Sequence, residues 1–303
     1  MEQLYAPEGT LIRRAENREY ISSLQGLERA MNEGRILEST ALLCDSDLCL
    51  HVDLYGIRGI IERDEVLFCR RCEEPKDIAI ITRVGKPVCF KVVGFTHKNG
   101  ETVARLSRRA AQAECYRNYV SLLCPGDIIP ATVTHMEGFG AFLDVGCGLS
   151  SLLSVDTISI SRISHPSDRL RIGQTVHTVV KSIDRARERI FVSMRELLGT
   201  WEENAARFEA GQTVAGIVRS VESYGVFVEL SPNLAGLAEL REGENDRSLA
   251  TVGQYAAVYI KSIIPDRMKI KLVLIDSYKG EPPKSELKYF IDCERISHID
   301  RWQ

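Results

Sequence analysis

The sequence contains no apolar run long enough to cross a membrane and no segment of the secretory type at its start. Its longest apolar runs are only a few residues, whereas a membrane-spanning helix needs about 20. The first residues, Met1-Glu2-Gln3-Leu4, lack the basic stretch followed by an apolar one that marks a signal peptide. These absences predict a cytoplasmic protein without membrane contact.

The cysteines form no framework pattern, although nine are present. An odd, scattered set fits free thiols in a reducing compartment better than disulfide bridges. A zinc site is the alternative, because Cys44 and Cys49 precede Cys69 and Cys72, with His51 nearby. Only Cys69 and Cys72 have the spacing of metal ligands. We therefore expect buried thiols, and neither a metal nor another cofactor.

Motifs of the common enzyme classes are missing as well. The sequence has no nucleophile elbow, phosphate-binding loop or paired metal-binding motif, and its six histidines are dispersed. We therefore predict a protein that is not an enzyme. A formal net charge of −3 and a pI of about 6.1 also exclude a protein that holds polyanions through bulk charge. Any binding of nucleic acid must rest on local arginines and on stacking.

The chain does contain an alternation of strand-rich and helical segments. The glycine, aromatic and acidic residues Gly126, Gly140, Phe142 and Asp144 recur 85 residues later as Gly211, Gly225, Phe227 and Glu229. The predicted segments are an N-terminal helical segment (1–33), a first repeat (34–109), a helical linker (110–123), a second repeat (124–195), a second helical linker (196–209), a third repeat (210–276) and a tail (277–303). In the N-terminal segment, Asn17 is the predicted cap of one helix. This pattern predicts a mainly β protein of three tandem five-stranded OB-fold barrels joined by short α-helical linkers.

The stretch 138–146 carries two aromatic rings, Phe139 and Phe142, on one predicted strand that follows a tight turn. Tyr224 and Phe227 repeat the pair in the third repeat. Such rings serve either as core or as a surface on which nucleic-acid bases stack, and the core role stays open for Phe142 and Phe227. Because Phe139 and Tyr224 stand beside glycines at a strand entrance, the stacking role is favoured for them.

The second repeat contains several short motifs in a definite order and spacing, namely Pro125-Gly126-Asp127, the stretch 138–146, Ile172-Gly173-Gln174-Thr175-Val176, Ser182-Ile183-Asp184 and Arg189-Ile190-Phe191-Val192-Ser193. Together these motifs resemble the RNA-binding domain of the bacterial small-subunit ribosomal protein S1. The resemblance is close for the second repeat, good for the third and weak for the first. It implies single-stranded RNA held across one barrel face, and action on mRNA at the small ribosomal subunit. A ribosome-independent RNA-binding regulator or a protein-interaction scaffold is the alternative.

The resemblance also implies specific RNA contacts in the second repeat. Phe139 and Phe142 would stack on bases, with Asp184 and Arg189 beside them. The basic run 185–189 joins the last two predicted strands, and because arginine suits phosphate contact and base stacking, Arg187 is a further candidate.

The third repeat keeps part of this set. Tyr224 and Phe227 are its ring pair, and Lys269 replaces the arginine. The family's histidine and acidic positions fall on Glu239 and Ile264, which predicts a weaker or differently tuned binder.

The first repeat lacks the ring pair, because Leu48-Cys49-Leu50-His51 stands where the rings would be. This loss of a stacking surface suggests a docking role. Attachment to the ribosome through N-terminal repeats is a property that the resemblance implies, and a purely structural barrel is the alternative. Oligomeric state stays open.

Overall fold

The structure is a computed structural model, and it describes residues 5–68, 76–98, 100–185, 189–239, 250–278 and 287–300. The chain divides into two compact units. The first unit comprises Met1–Leu123, Pro130–Thr132 and Asp144–Ser151, and the second comprises Cys124–Ile129, Val133–Leu143 and Leu152–Gln303.

The first barrel consists of β1 (Leu37–Cys44), β2 (Leu50–Leu54), β3 (Ile57–Ile61), β4 (Pro87–Lys98) and β5 (Glu101–Ser107). The strands close in the order β1-β2-β3-β5-β4, and the pairing of β3 with β5 is parallel. Along β2, Leu50, Val52 and Leu54 are buried in the core of this barrel. Because successive side chains of a strand alternate between its two faces, His51 and Asp53 lie on the outer face.

Two helices, α1 (Ala15–Ile21) and α2 (Leu24–Glu33), precede the first barrel, where the sequence pattern predicts one helix capped by Asn17. Ser23 separates the helices, because its backbone is extended and its hydroxyl accepts a hydrogen bond from the backbone N–H of Gly26. Asn17 is not a cap. It lies buried inside α1, and its side chain exchanges two hydrogen bonds with the backbone of Glu38.

Two further helices, α3 (Asp77–Ile81) and α4 (Arg108–Asn118), stand before and after the last two strands of the first barrel. The second barrel follows, and it is formed by β6 (Ile128–Glu137), β7 (Gly140–Asp144), β8 (Ser150–Ser154), β9 (Thr175–Asp184) and β10 (Arg189–Ser193). Its strands close in the order β10-β8-β7-β6-β9. Interior side chains such as Val133, Leu143 and Leu153 are fully buried.

The linker to the third barrel contains α5 (Trp201–Ala205), which begins with a capping box formed by Thr200 and Glu203. The third barrel consists of β11 (Thr213–Glu222), β12 (Gly225–Ser231), β13 (Leu234–Glu239), β14 (Tyr255–Ile264) and β15 (Lys269–Tyr278). It closes in the order β11-β12-β13-β15-β14. The predicted fold, three five-stranded barrels with short helices in the linkers, is therefore confirmed.

The tail from residue 287 to 300 packs on the second unit. Tyr289, Ile291 and Ile299 cover an apolar cluster around Ile128 and Leu197. The backbone N–H of Ile299 also donates to the carbonyl of Gly126, at 3.0 Å. Among the residues that the structure describes, no helix has both the length and the apolar character needed to span a membrane.

Candidate nucleic-acid interface

The second barrel carries an exposed pair of aromatic rings where β6 turns into β7. The side chain of Phe139 is 58% exposed, and Phe142 is half-buried. The ring centroids lie 6.0 Å apart and the ring planes are perpendicular. This edge-to-face packing is a favourable arrangement for two aromatic rings, and it leaves ring surface open to a flat ligand.

The position of this pair follows from the residues around it. Ala141 and Leu143 are buried inside the barrel, so Phe142 between them lies on the outer face of β7. Gly140 brings β7 close to β8, because a Cβ at this position would lie 2.5 Å from the carbonyl oxygen of Leu153. The backbone N–H of Val155 then donates to the carbonyl of Phe139 at 3.0 Å.

The predicted polar contacts of the second barrel lie on its last two strands. Asp184 at the end of β9 is the direct cross-strand partner of Arg189 at the start of β10. The Arg189 side chain is exposed. Arg187, the remaining candidate of this basic run, lies outside the described residues.

The third barrel repeats the ring pair with nearly the same geometry. Tyr224 is 58% exposed, its ring centroid lies 6.2 Å from that of Phe227, and the two planes are again perpendicular. Gly225 corresponds to Gly140 and also allows close approach of two strands, since a Cβ at Gly225 would lie 2.6 Å from the carbonyl oxygen of Ala238. Lys269, the predicted cation, starts β15 opposite Ile264 and is exposed.

A carboxylate distinguishes the face of the third barrel from that of the second. Glu239 pairs across β12 and β13 with Gly225, the residue that follows Tyr224 in the chain. The ammonium group of Lys271 lies 3.1 Å from the Glu239 carboxylate. This ion pair neutralises one of the cations near the ring pair, so the third barrel offers less positive charge to a phosphate than its lysines alone suggest.

The equivalent face of the first barrel has a different chemistry. His51 occupies the outward position on β2, where its Nε2 lies 2.8 Å from Asp45 and its Nδ1 accepts a hydrogen bond from Arg58. The hydrogen bond with His51 lowers the pKa of the Asp45 carboxyl. The charged side chains that line the groove on this face are Asp45, Asp47, Glu62, Glu101, Arg58 and Arg105. Four carboxylates against two guanidinium groups, without a ring pair, make a poor surface for RNA.

The described cysteines give no support to a zinc site. Cys44 and Cys49 are free thiols, while Cys69 and Cys72 lie outside the described residues. Within the described ranges, histidine, cysteine and acidic side chains form no group of three that could hold a metal ion.

The sequence interpretation missed one ring of the second barrel. His135 near the end of β6 lies 6.1 Å from Phe142 between centroids, and the two planes are 22° apart. Its spacing in the sequence from Phe139 and Phe142 does not indicate this contact, because His135 lies on β6 and Phe142 on the neighbouring strand β7. Its counterpart in the third barrel is Ser220, which pairs with Phe227 next to a bulge in β11.

Comparison with known proteins identifies the domain that carries the first ring pair. Residues 123–195 match the family model of the S1 RNA binding domain. The chain is 28% identical over 232 residues to small ribosomal subunit protein bS1 of Rickettsia conorii, covering 73% of this chain and 39% of that protein. It is 29% identical over 242 residues to a bS1 homologue of Bacillus cereus, covering 76% of this chain and 60% of the homologue. The chain thus spans well under half of the first relative and less than two thirds of the second.

Proposed function

We propose that this chain, whose residues 123–195 match the S1 RNA binding domain, binds single-stranded RNA, in particular mRNA, at the small ribosomal subunit. The observation that carries this proposal is the exposed, perpendicular ring pair in an S1 RNA binding domain, repeated in the third barrel. Stacking on aromatic rings binds any base, which suits a protein that holds many different mRNAs.

The three repeats have different parts in this function. The second repeat (124–195) is the main RNA binder, with Phe139 and Phe142 for stacking. Arg189 beside Asp184, together with Arg187, contacts phosphate. The third repeat (210–276) binds through Tyr224, Phe227 and Lys269, more weakly because of the Glu239 carboxylate. The first repeat (34–109) carries an acidic face and does not read RNA.

The protein acts by binding RNA and not by catalysis. It acts in the cytoplasm, where ribosomes translate mRNA. The relatives named above are ribosomal proteins. Their names support the small subunit as a partner of this chain. Incubation with labelled RNA should leave the RNA intact, and its degradation would argue for an enzyme instead.

The double variant Phe139→Ala/Phe142→Ala tests the stacking role. We expect its affinity for a fluorescent oligouridylate, measured by anisotropy, to fall at least about tenfold. Each base–aromatic stack contributes about 1–3 kcal/mol, and about 1.4 kcal/mol corresponds to a factor of ten. Tyr55→Ala is the matched control, because Tyr55 is equally exposed but lies on the first barrel. Unchanged binding by a folded double variant would refute the stacking role.

Co-sedimentation with small ribosomal subunits at low salt tests the proposed partner. We expect the wild-type chain to pellet with the subunits. An RNA-binding chain that stays in the supernatant would instead be a ribosome-independent regulator.

A further inference from the structure

The ring pair of the second barrel continues into a third ring. The ring of His135 is nearly parallel to that of Phe142, and the two centroids lie 6.1 Å apart. The ring of Phe139 also contacts Phe142, but is perpendicular to it. The His135 side chain is 59% exposed. The three rings, His135, Phe142 and Phe139, therefore form one aromatic surface with both ends open to solvent.

Two hydrogen bonds fix this arrangement. The Nε2 of His135 lies 2.7 Å from a carboxylate oxygen of Glu137, two residues further along the chain. Next to it, the hydroxyl of Thr134 donates to the backbone carbonyl of Phe142 at 3.0 Å, which ties β6 to β7 beside the rings. An exposed histidine held in one orientation loses little conformational entropy when a ligand packs on it.

The equivalent positions of the other barrels hold no such ring. Ser220 is opposite Phe227 in the third barrel, and Leu43 is opposite His51 in the first. The third ring is therefore a feature of the second barrel, which is also the barrel that matches the S1 family model.

We propose that His135 is a further RNA-binding residue, which stacks on a base adjacent to the one held by Phe142. The ligand class is single-stranded RNA with at least two successive unpaired bases on this surface. The inference rests on the proposed function of the second barrel and adds a contact to it. A purely structural role predicts the opposite effect, since a ring that only shields Phe142 would compete with the base.

The test exchanges the residues found at this position in the two barrels. His135→Ser places the third-barrel residue in the second barrel, and we expect about tenfold weaker binding of an oligocytidylate or oligouridylate, the loss of one base stack. Ser220→His is the converse change, made in the Phe139→Ala/Phe142→Ala background so that the third barrel dominates binding. We expect it to strengthen binding several-fold. Unchanged or tighter binding by a folded His135→Ser variant would overturn the proposal.

A second measurement does not depend on the stability of any variant. In the wild-type chain, the ring protons of His135 should shift in NMR spectra during titration with the same oligonucleotide. Those of His97, an exposed ring on the first barrel that is hydrogen-bonded to Thr102, should not. If the ring protons of His135 do not shift, the proposed contact with RNA is refuted. If Phe139→Ala/Phe142→Ala also binds normally, the proposed function itself fails; if that variant loses binding, only the histidine contact fails.

Discussion

At the scale of single residues, glycines place the aromatic rings. Gly140 and Gly225 have ordinary backbone angles, so it is space and not conformation that requires glycine. In each case the missing side chain lets the ring-bearing strand approach the backbone of the next strand. The exposure of Phe139 and Tyr224 depends on that close approach, because the rings stand immediately before these glycines.

Replacing Gly140 by alanine should therefore damage both stability and binding. The new Cβ would lie 2.5 Å from the Leu153 carbonyl oxygen, and relief of such overpacking costs about 1–3 kcal/mol. Urea denaturation should show this loss, and the affinity for RNA should fall with it because Phe139 and Phe142 are displaced.

Gly138→Ala is the matched control, two residues away in the same turn. A Cβ at Gly138 meets no heavy atom within 4 Å, so we expect its stability and its affinity to stay close to those of the wild type. Equal stabilities of the two variants would show that the close approach of the strands does not depend on glycine.

The ring pairs were predictable from the sequence, but their surroundings were not. Phe139 and Tyr224 could be recognised because a ring beside a glycine at a strand entrance recurs at a fixed separation. His135 could not, since the residue that faces Phe142 depends on the register of the two strands, which single-sequence patterns do not reveal. Asn17 was predicted as a helix cap, yet tertiary hydrogen bonds to Glu38 bury it inside the helix.

At the scale of elements, the repeated acidic residue of the barrels has a consistent structural use. Asp144 in the second barrel and Glu229 in the third occupy matching positions, and both are buried. Asp144 accepts hydrogen bonds from the backbone N–H groups of Glu8, Gly146 and Gly148. In both cases the acid fastens a segment from elsewhere in the chain, a role that the sequence repeat alone did not reveal.

Glu229 holds the loop between β8 and β9 of the second barrel against the third barrel. Its carboxylate pairs with Arg169 from that loop and with Arg219 of β11, and the side chains of Arg169 and Glu229 are only 2% and 4% exposed. The backbone N–H of Ile160 in the same loop donates to the side chain of Asn233 at 3.0 Å. These contacts join the β8–β9 loop to the third barrel inside the second unit.

Glu229→Gln should destabilise the second unit by about 3–5 kcal/mol, because it leaves the buried Arg169 guanidinium without its ion-pair partner. Glu239→Gln is the control, since its ion pair with Lys271 is exposed (59% and 44%) and such pairs contribute about 0–1 kcal/mol. Urea denaturation of both variants gives the comparison. A small effect of Glu229→Gln would mean that the loop is held by its other contacts.

The N-terminal segment is fastened by a second buried acid, Glu38. Its carboxylate accepts hydrogen bonds from the backbone N–H groups of Gly9 and Ile12, at 2.5 and 2.6 Å. Burial raises the pKa of Glu38 from 4.5 to about 7, and burial likewise raises the pKa of Asp144 to about 7. Burial opposes ionisation of Glu8 too, but the Arg108 guanidinium more than compensates and lowers the pKa of Glu8.

The stability of the first unit should therefore decrease as pH rises from about 4.5 to about 7. In this range the folded chain keeps protons on Glu38 and Asp144 that the unfolded chain has lost, so the free energy of unfolding falls with pH. Glu38 alone should lower the free energy of unfolding by up to about 3 kcal/mol across this range, at about 1.36 kcal/mol per pKa unit.

Urea denaturation at the two ends of this pH range measures the effect. Glu38→Gln removes one of the two titrating groups, and we expect it to reduce the pH dependence by about half. A wild-type stability that rises across the same range would contradict the assignment. Glu8 contributes in the opposite direction, but only as pH falls below about 4.5, because its pKa in the folded state is already lower than that value.

At the scale of the whole molecule, three barrels of one fold carry three different outer faces. The second has three rings, the third has two rings and an ion-paired lysine, and the first has an acidic groove. The sequence predicted the number of barrels and the positions of the two ring pairs, because backbone pattern and aromatic spacing are local. The acidic face of the first barrel was not predicted, since its charges come from β3 with the residue after it, from β5 and from the β1–β2 turn, and only the fold brings them together.

This distribution predicts RNA binding with a shallow dependence on salt. With a net charge of −3, phosphate contacts are confined to a few exposed cations such as Arg189 and Lys269. Single-stranded RNA releases counterions with a slope of log K against log salt of about −0.7 per phosphate contact, so two to four contacts give about −1.4 to −2.8. Fluorescence anisotropy at several salt concentrations measures the slope.

Variants separate the two contributions to this affinity. Arg189→Gln/Lys269→Gln removes two phosphate contacts and should flatten the slope by about 1.4, with the largest loss of affinity at low salt. Phe139→Ala/Phe142→Ala removes stacking, so we expect its binding constant to be lower than that of the wild type at every salt concentration. The slope of log K against log salt should be the same for both proteins. A slope much steeper than about −2.8, or a stacking variant whose slope changes, would show that charge and not stacking dominates RNA binding. The exposed ring pairs would then be secondary to a cationic surface elsewhere on the chain.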